Sequence, residues 1–168
     1  MKRYIKNSVK SIDSESDDTL WQIVNDESVR PDTLIQLAMD SSVDEAVRIA
    51  AIRNPNMPQE TRDELAISKD FQGRGTEFEV TFLTYGMMWD PDAVYDTAIN
   101  IIKSHRYKYY KSDIYQDEVD NDQYVLYISC NLVTKQSDLD NIIDDFKNIQ
   151  NIGITVLGVD IYDDVRIK

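Results

Sequence analysis

Glu77-Phe78-Glu79-Val80-Thr81-Phe82 alternates a polar side chain with a large apolar one at every step. A period of two puts Phe78, Val80 and Phe82 on one side of an extended strand and Glu77, Glu79 and Thr81 on the other, which makes a half-buried strand. Downstream, Asp90-Pro91 supplies an N-cap and a first-turn proline for a helix carrying Val94, Ala98, Ile101 and Ile102 on one face. Residues 107–117 read as an irregular strand, Asp120-Asn121-Asp122 as a turn, and Tyr124 to Val133 as a strong central strand. Ser137 is placed as the cap of a second helix, in which Leu139, Ile142, Ile143, Phe146 and Ile149 keep helical spacing. Ile154 to Tyr162 supplies a last strand. The order is β-α-β-β-α-β.

That order resembles the ferredoxin-like split βαβ sandwich, and the resemblance implies two helices covering one face of a four-stranded antiparallel sheet. Such a fold hosts many functions, so function has to be sought in the site.

Working upstream, Gln72-Gly73-Arg74-Gly75-Thr76 marks a change from helical to alternating pattern. It reads as a linker at a domain junction, because a phosphate cradle would follow a strand and open a helix rather than the reverse. From Leu20 to Ser68 the chain forms four short helical segments. Leu20, Ile23 and Val24 give the first apolar turn, Leu34, Leu37 and Ala38 the second, Val47, Ala50 and Ala51 the third, and Leu65 and Ala66 the fourth. Pro31 and Pro58 stand at or just before segment starts, where a missing N–H costs nothing. The stretch 32–38 lies over 60–66 at an offset of 28, a period typical of helical solenoids.

Within this region, Val47-Arg48-Ile49-Ala50-Ala51-Ile52-Arg53-Asn54-Pro55-Asn56-Met57-Pro58, followed by Leu65-Ala66, resembles the variant leucine-rich repeat, a HEAT-like helical repeat. Its hallmark is a VR-x-A-x-A-x-NPN-x-P run, here with Ile52 in place of the second alanine. The resemblance implies a scaffold or binding surface whose motif residues pack and turn the chain. The expected organisation is therefore α+β: a lead-in over 1–18, a helical repeat segment over 19–71 and a ferredoxin-like domain over 76–168.

At 168 residues, 42% of them hydrophobic and ten of them Tyr, the chain can bury a core without disulfide or metal staples. Its net charge of −13 repels phosphate polymers and anionic membranes. Residues 1–70 carry 9 basic and 14 acidic side chains and residues 71–168 carry 9 and 17, so the halves stand at −5 and −8 and neither is a hidden basic arm. Apolar runs such as Tyr124 to Cys130 are too short for a bilayer, and Met1-Lys2-Arg3-Tyr4-Ile5-Lys6 lacks a signal-peptide core, so a cytoplasmic protein with no membrane partner is expected. A lone Cys130 agrees with a reducing compartment, and its place beside Leu126, Ile128 and Leu132 makes it a small buried hydrophobe.

No catalytic constellation stands out. His105, between Ser104 and Arg106, is expected to meet the dipole of a helix C-terminus rather than serve a triad. One Cys and one His do not make a zinc site. Asp117-Glu118-Val119-Asp120-Asn121-Asp122 lacks the glycine and closing glutamate of a calcium loop, and it reads, like Asp160 with Asp163-Asp164, as solvated turn residues. A non-enzyme without cofactor or metal is the expectation.

Two stretches are candidates for binding a partner. Tyr85, Met87, Met88 and Trp89 concentrate soft and aromatic side chains in a loop after the first strand. Arg106, Tyr107, Lys108, Tyr109, Tyr110 and Lys111 interleave cations with rings. Such interleaving suits a protein contact, a solvated edge strand, or single-stranded nucleic acid. The foremost functional expectation is a protein–protein interaction or regulatory module that binds another protein. The alternative is a phage- or mobile-element-type acidic inhibitor whose carboxylates mimic nucleic-acid phosphates, and the third is RNA binding through residues 103–111. Nucleic acid is the less expected partner, and an exposed edge strand over 107–117 adds a homodimer to the expectations.

Overall fold

In the computed structural model, which describes residues 17–167, the helical part is more regular than its sequence. Helices α1 (Asp17–Asn25), α2 (Pro31–Met39), α3 (Glu45–Arg53) and α4 (Gln59–Ala66) begin at 17, 31, 45 and 59, a step of 14 residues each time. The offset of 28 in the sequence spans two of these units. Asp17 and Asp18 open α1, while residues 1–16 of the expected lead-in lie outside the described residues.

Each of the first three units is a short helix closed by an Asx turn. Asp26 Oδ1 accepts from the Ser28 amide at 2.8 Å, Asp40 Oδ1 from Ser42 at 2.9 Å and Asn54 Oδ1 from Asn56 at 2.9 Å, again at steps of 14. A side-chain oxygen bonded two residues ahead imitates a backbone turn, which is why Asp and Asn recur there. Pro31 presets the first turn of α2, and Asp44 caps α3 by accepting from the Ala46 amide. Helices of eight or nine residues are marginal alone, so packing holds them. Val24, Ala38 and Ile52 are buried at one equivalent position, and Val43, Met57 and Phe71 at another.

At a third position Leu20 and Leu34 are succeeded by Arg48 and Arg62, all four buried. Arg48 Nε donates to the Ala38 carbonyl at 2.9 Å and Arg62 Nε to the Ile52 carbonyl at 3.0 Å, the same bond shifted by one unit. Arg48 also bonds Asp70 at 2.7 Å and lies 4.9 Å from the centre of the Phe71 ring. A guanidinium leaves water only against such partners. Asn54 and Asn56 then tie the turn after α3 to the turn after α1. Asn54 Nδ2 donates to the Val24 and Asp26 carbonyls at 2.9 and 3.0 Å, and Asn56 Nδ2 to Val29 at 3.0 Å.

The remainder is an antiparallel α+β sandwich. Strands β1 (Arg74–Thr84), β2 (Tyr109–Gln116), β3 (Gln123–Asn131) and β4 (Ile154–Arg166) pair in the order β2-β3-β1-β4, with α5 (Pro91–Ser104) and α6 (Gln136–Lys147) as the crossover helices. This is the ferredoxin-like arrangement. Phe78, Val80 and Phe82 of β1 and Leu126, Ile128 and Cys130 of β3 pack with Val94, Ala98 and Ile102 of α5 and Leu139, Ile142 and Phe146 of α6 in one core. Asp90 caps α5 by accepting from the Asp92 amide, with Pro91 in its first turn.

Two expectations are corrected. Gly73-Arg74-Gly75 is not a linker: Arg74 and Gly75 already belong to β1 and pair with Arg166 and Val165 of β4. Glycine is needed at 75 because a Cβ there would lie 2.6 Å from the Cys130 carbonyl oxygen. Nor does Ser137 cap the second helix, since α6 starts at Gln136 and Ser137 lies inside its first turn. By compactness the chain divides into two units, one comprising the described residues to Gln72 with Thr134–Gln136 and the other Gly73–Val133 with the residues from Ser137 onward.

Candidate functional site

Alternation along four paired strands sends every second side chain to the sheet face opposite α5 and α6. On that open face β1 presents Glu77 and Glu79, β2 presents Lys111, Asp113 and Tyr115, β3 presents Val125, Tyr127 and Ser129, and β4 presents Asp160 and Tyr162. One residue from each strand builds a continuous band. Tyr115 and Tyr127 meet edge to face with ring centres 5.9 Å apart, Tyr127 stands directly opposite Glu79, and Tyr162 hydrogen-bonds the Glu79 carboxylate from the far side. Tyr115 is 57% exposed and Tyr162 44%, so the band leaves ring surface open.

The electrostatics follow from that packing. Burial, then the Glu79 and Glu77 carboxylates, push the Tyr127 phenol above its ordinary range. For Tyr162 the hydrogen bond to Glu79 is the leading cause of a shift in the same direction. Asp113 binds Lys111 at 2.7 Å and holds its ammonium above the usual lysine range. A cleft of about 420 Å³ is lined by Glu77, Tyr110, Lys111, Ser129, Val165, Arg166 and Ile167.

The expected partner-binding residues fall in several places. Arg106, at φ 66°, ends α5 in the left-handed region. Beyond it the run divides by side: Tyr107 and Tyr109 pack on the core, with the Tyr107 hydroxyl donating to Asp138 at 2.7 Å and that of Tyr109 sharing a hydrogen bond with Ser112 at 2.9 Å. Lys108 is exposed with its ammonium 5.2 Å from the centre of the Tyr110 ring, and Tyr110 and Lys111 line the cleft. Strand β2 is at the sheet edge, yet the Ile114 amide is taken by the Tyr95 hydroxyl of α5 at 3.0 Å, which blunts that edge. Of the loop, Tyr85, Met87 and Met88 are exposed around a 3₁₀ turn, whereas Trp89 packs on Phe82 and Tyr124 at 6.1 and 4.6 Å between ring centres.

Glu77, Glu79, Tyr115, Tyr127 and Tyr162 were not singled out as a site by the sequence. The usable signal was the polar half of each alternating strand, which places Glu77 and Glu79 on the outward face.

Several other titratable groups are engaged locally. His105 Nε2 meets Asp145 Oδ2 at 2.6 Å, while Ser104 gives its hydroxyl to the Ile101 carbonyl, so the two neighbours are not arranged as base and nucleophile. Cys130 is fully buried in the core. The Val119 and Asp120 amides bond the Asp117 carboxylate and hold it below the usual carboxylate range. Among the described residues no helix is long and apolar enough to cross a membrane.

No family model matches the chain, and no curated protein matches its sequence. Among solved structures, a formyltetrahydrofolate deformylase from Pseudomonas putida is similar over 52% of this chain at 6% identity with a TM-score of 0.34, and the match spans 28% of that enzyme's chain.

Proposed function

We propose that this chain is a non-enzymatic protein-interaction module that binds another protein through the open face of its sheet. The carrying observation is the band of Tyr115, Tyr127, Glu79 and Tyr162, one residue from each strand, on a face that neither α5 nor α6 covers. Tyrosine is well suited to such work, because it brings a large rigid surface with a polar tip at little entropic cost. In this reading the helical repeat is a scaffold, and its resemblance to the variant leucine-rich repeat supports that role. Arg48, Arg62, Asn54 and Asn56 each bond the repeat's own backbone.

The test is cross-linked capture from cell lysate with the full chain, a Tyr115→Ser/Tyr162→Ser variant and a Met87→Ser/Met88→Ser variant. The proteins held by the parent chain are expected to persist with the methionine variant and to disappear with the tyrosine one. Identical protein sets from all three, or no protein captured by the parent chain, refutes the proposal.

A further inference from the structure

We propose that Tyr162 is a site of oxidative modification, at which a one-electron oxidant such as nitrogen dioxide takes an electron from the ring while the Glu79 carboxylate takes the phenolic proton. A phenol gives up an electron readily only if its proton has a base to go to, and a positioned carboxylate serves better than water. The Tyr162 hydroxyl already donates to the Glu79 carboxylate, so the acceptor is in place before the oxidant arrives. The ring lies half-exposed on the sheet face opposite α5 and α6, where a small radical reaches it from solvent. Asp160 also acts on this phenol, and its negative charge favours the loss of an electron.

With nitrogen dioxide the reaction closes in two steps. The first molecule accepts the electron and leaves as nitrite, the proton passes to Glu79, and a neutral tyrosyl radical remains. The second bonds to a ring carbon next to the one bearing oxygen, and the hydrogen on that carbon moves to the oxygen as the ring regains aromaticity. The product is 3-nitrotyrosine, and Glu79 releases its proton to water.

Other tyrosines hold only part of this arrangement. Tyr107 donates to Asp138 at 2.7 Å but packs on the core. Tyr127 shares the Glu79 carboxylate, but its ring is partly buried and meets that of Tyr115. Tyr110 is exposed, but the Lys108 ammonium lies 5.2 Å from its ring centre, and a positive charge there opposes electron loss. Tyr85 is 55% exposed against 44% for Tyr162, yet its hydroxyl pairs with the Thr155 hydroxyl at 2.6 Å, which is not a base. Exposure alone would therefore put Tyr85 ahead of Tyr162, and a carboxylate alone would put Tyr107 level with it.

The full chain is treated at low conversion with peroxynitrite in bicarbonate, which releases nitrogen dioxide and carbonate radicals, and each tyrosine is quantified by peptide mass spectrometry. Tyr162 is expected to carry more product than Tyr85, Tyr107 or Tyr110. Glu79→Gln, with its fold checked by circular dichroism, should lower the yield at Tyr162 relative to Tyr85 about tenfold, a modest share of what a positioned base gives a proton transfer. Tetranitromethane supplies the contrast, because it attacks the phenolate, which the hydrogen bond to Glu79 disfavours at Tyr162. That reagent should modify Tyr162 more slowly than Tyr85 in the parent chain, and Glu79→Gln should speed it up. Opposite responses of one residue to one substitution separate proton transfer from mere accessibility. A yield at Tyr162 no greater than at Tyr85 with peroxynitrite overturns the proposal, as does a Glu79→Gln effect that is absent or of the same sign with both reagents. Should Glu79→Gln fail to fold, the parent chain decides alone: the same ranking of Tyr162 and Tyr85 with both reagents refutes the role of Glu79.

Discussion

Replacing Asn54 by alanine separates a buried turn residue from an exposed one at the same position of the repeat. Asn54 makes two donated bonds, to Val24 and Asp26, and one accepted from Asn56, and it is 4% exposed. Each such bond contributes about 1 kcal/mol net, and more where truncation leaves a buried carbonyl without a partner, so Asn54→Ala is expected to cost about 3 kcal/mol. Asp40 occupies the equivalent position one unit earlier, where its carboxylate accepts from the Ser42 amide and hydroxyl in an exposed turn, bonds that water replaces. Asp40→Ala should cost about 0.5–1 kcal/mol. A difference of about 2 kcal/mol corresponds to roughly thirtyfold faster amide exchange in peptides from α1 and α3, readable by mass spectrometry in native buffer. Asn54→Asp keeps the acceptor and removes both donors, so it should lie near the alanine variant. Asn54→Ala and Asp40→Ala within 0.5 kcal/mol of one another, or Asn54→Asp indistinguishable from the parent, would refute the tie between the two turns.

On the sheet, Tyr127 and Tyr162 should titrate later than exposed phenols in a carbon-13 tyrosine NMR titration, and Glu79→Gln should bring both back toward the ordinary range. Because both folded values are raised, their contribution to stability is complete below the ordinary phenol value near ~10 and is lost as pH rises through the shifted values. Gly153 has φ +72°, and an added Cβ would lie 2.6 Å from the Met88 carbonyl oxygen, so Gly153→Ala is expected to destabilise by about 2 kcal/mol or more in denaturant unfolding; an unchanged midpoint would refute that close approach. Phe146 is fully buried with its ring centre 5.4 Å from that of Phe78, and Phe146→Ala should cost about 3–5 kcal/mol, seen as a fall of more than about 12 °C in the melting of the sheet signal.

Much of the fold was legible because its signals are periodic. Alternation in β1 and helical spacing in α5 and α6 each repeat often enough to survive a local irregularity, and their order determines the sandwich. The misread points lack such redundancy. Gly75 has no side chain to report a strand, and its reason for being glycine is a carbonyl on β3 that only folding brings near. Ser137 looks like a cap, but the helix starts one residue earlier, and boundaries shift by a residue without altering the buried face. The 14-residue repeat escaped notice for a chemical reason: one spatial slot holds leucine in the first two units and arginine in the next two. These residues are equivalent only once Arg48 and Arg62 find carbonyls ten positions back.

The open face was hidden for a different reason. A contiguous run such as Arg106 to Lys111 attracts attention as a patch, yet the fold divides it between core and solvent. Tyr107 and Tyr109 go to the core, and only the residues between and beyond them reach solvent. The band that does share one surface takes a single residue from each of four strands, so its members are distant in sequence and are brought together by register alone. Each strand's alternation says which side Glu79, Tyr115, Tyr127 or Tyr162 occupies, whereas their adjacency depends on β1 pairing Glu79 with Tyr127 and on β2 pairing Asp113, two residues before Tyr115, with that same tyrosine. A slip of one residue in either ladder would turn one partner to the opposite face. The proposed site is therefore a property of strand pairing rather than of any local motif, and substitutions that shift register should abolish the proposed binding even where every residue of the band is retained.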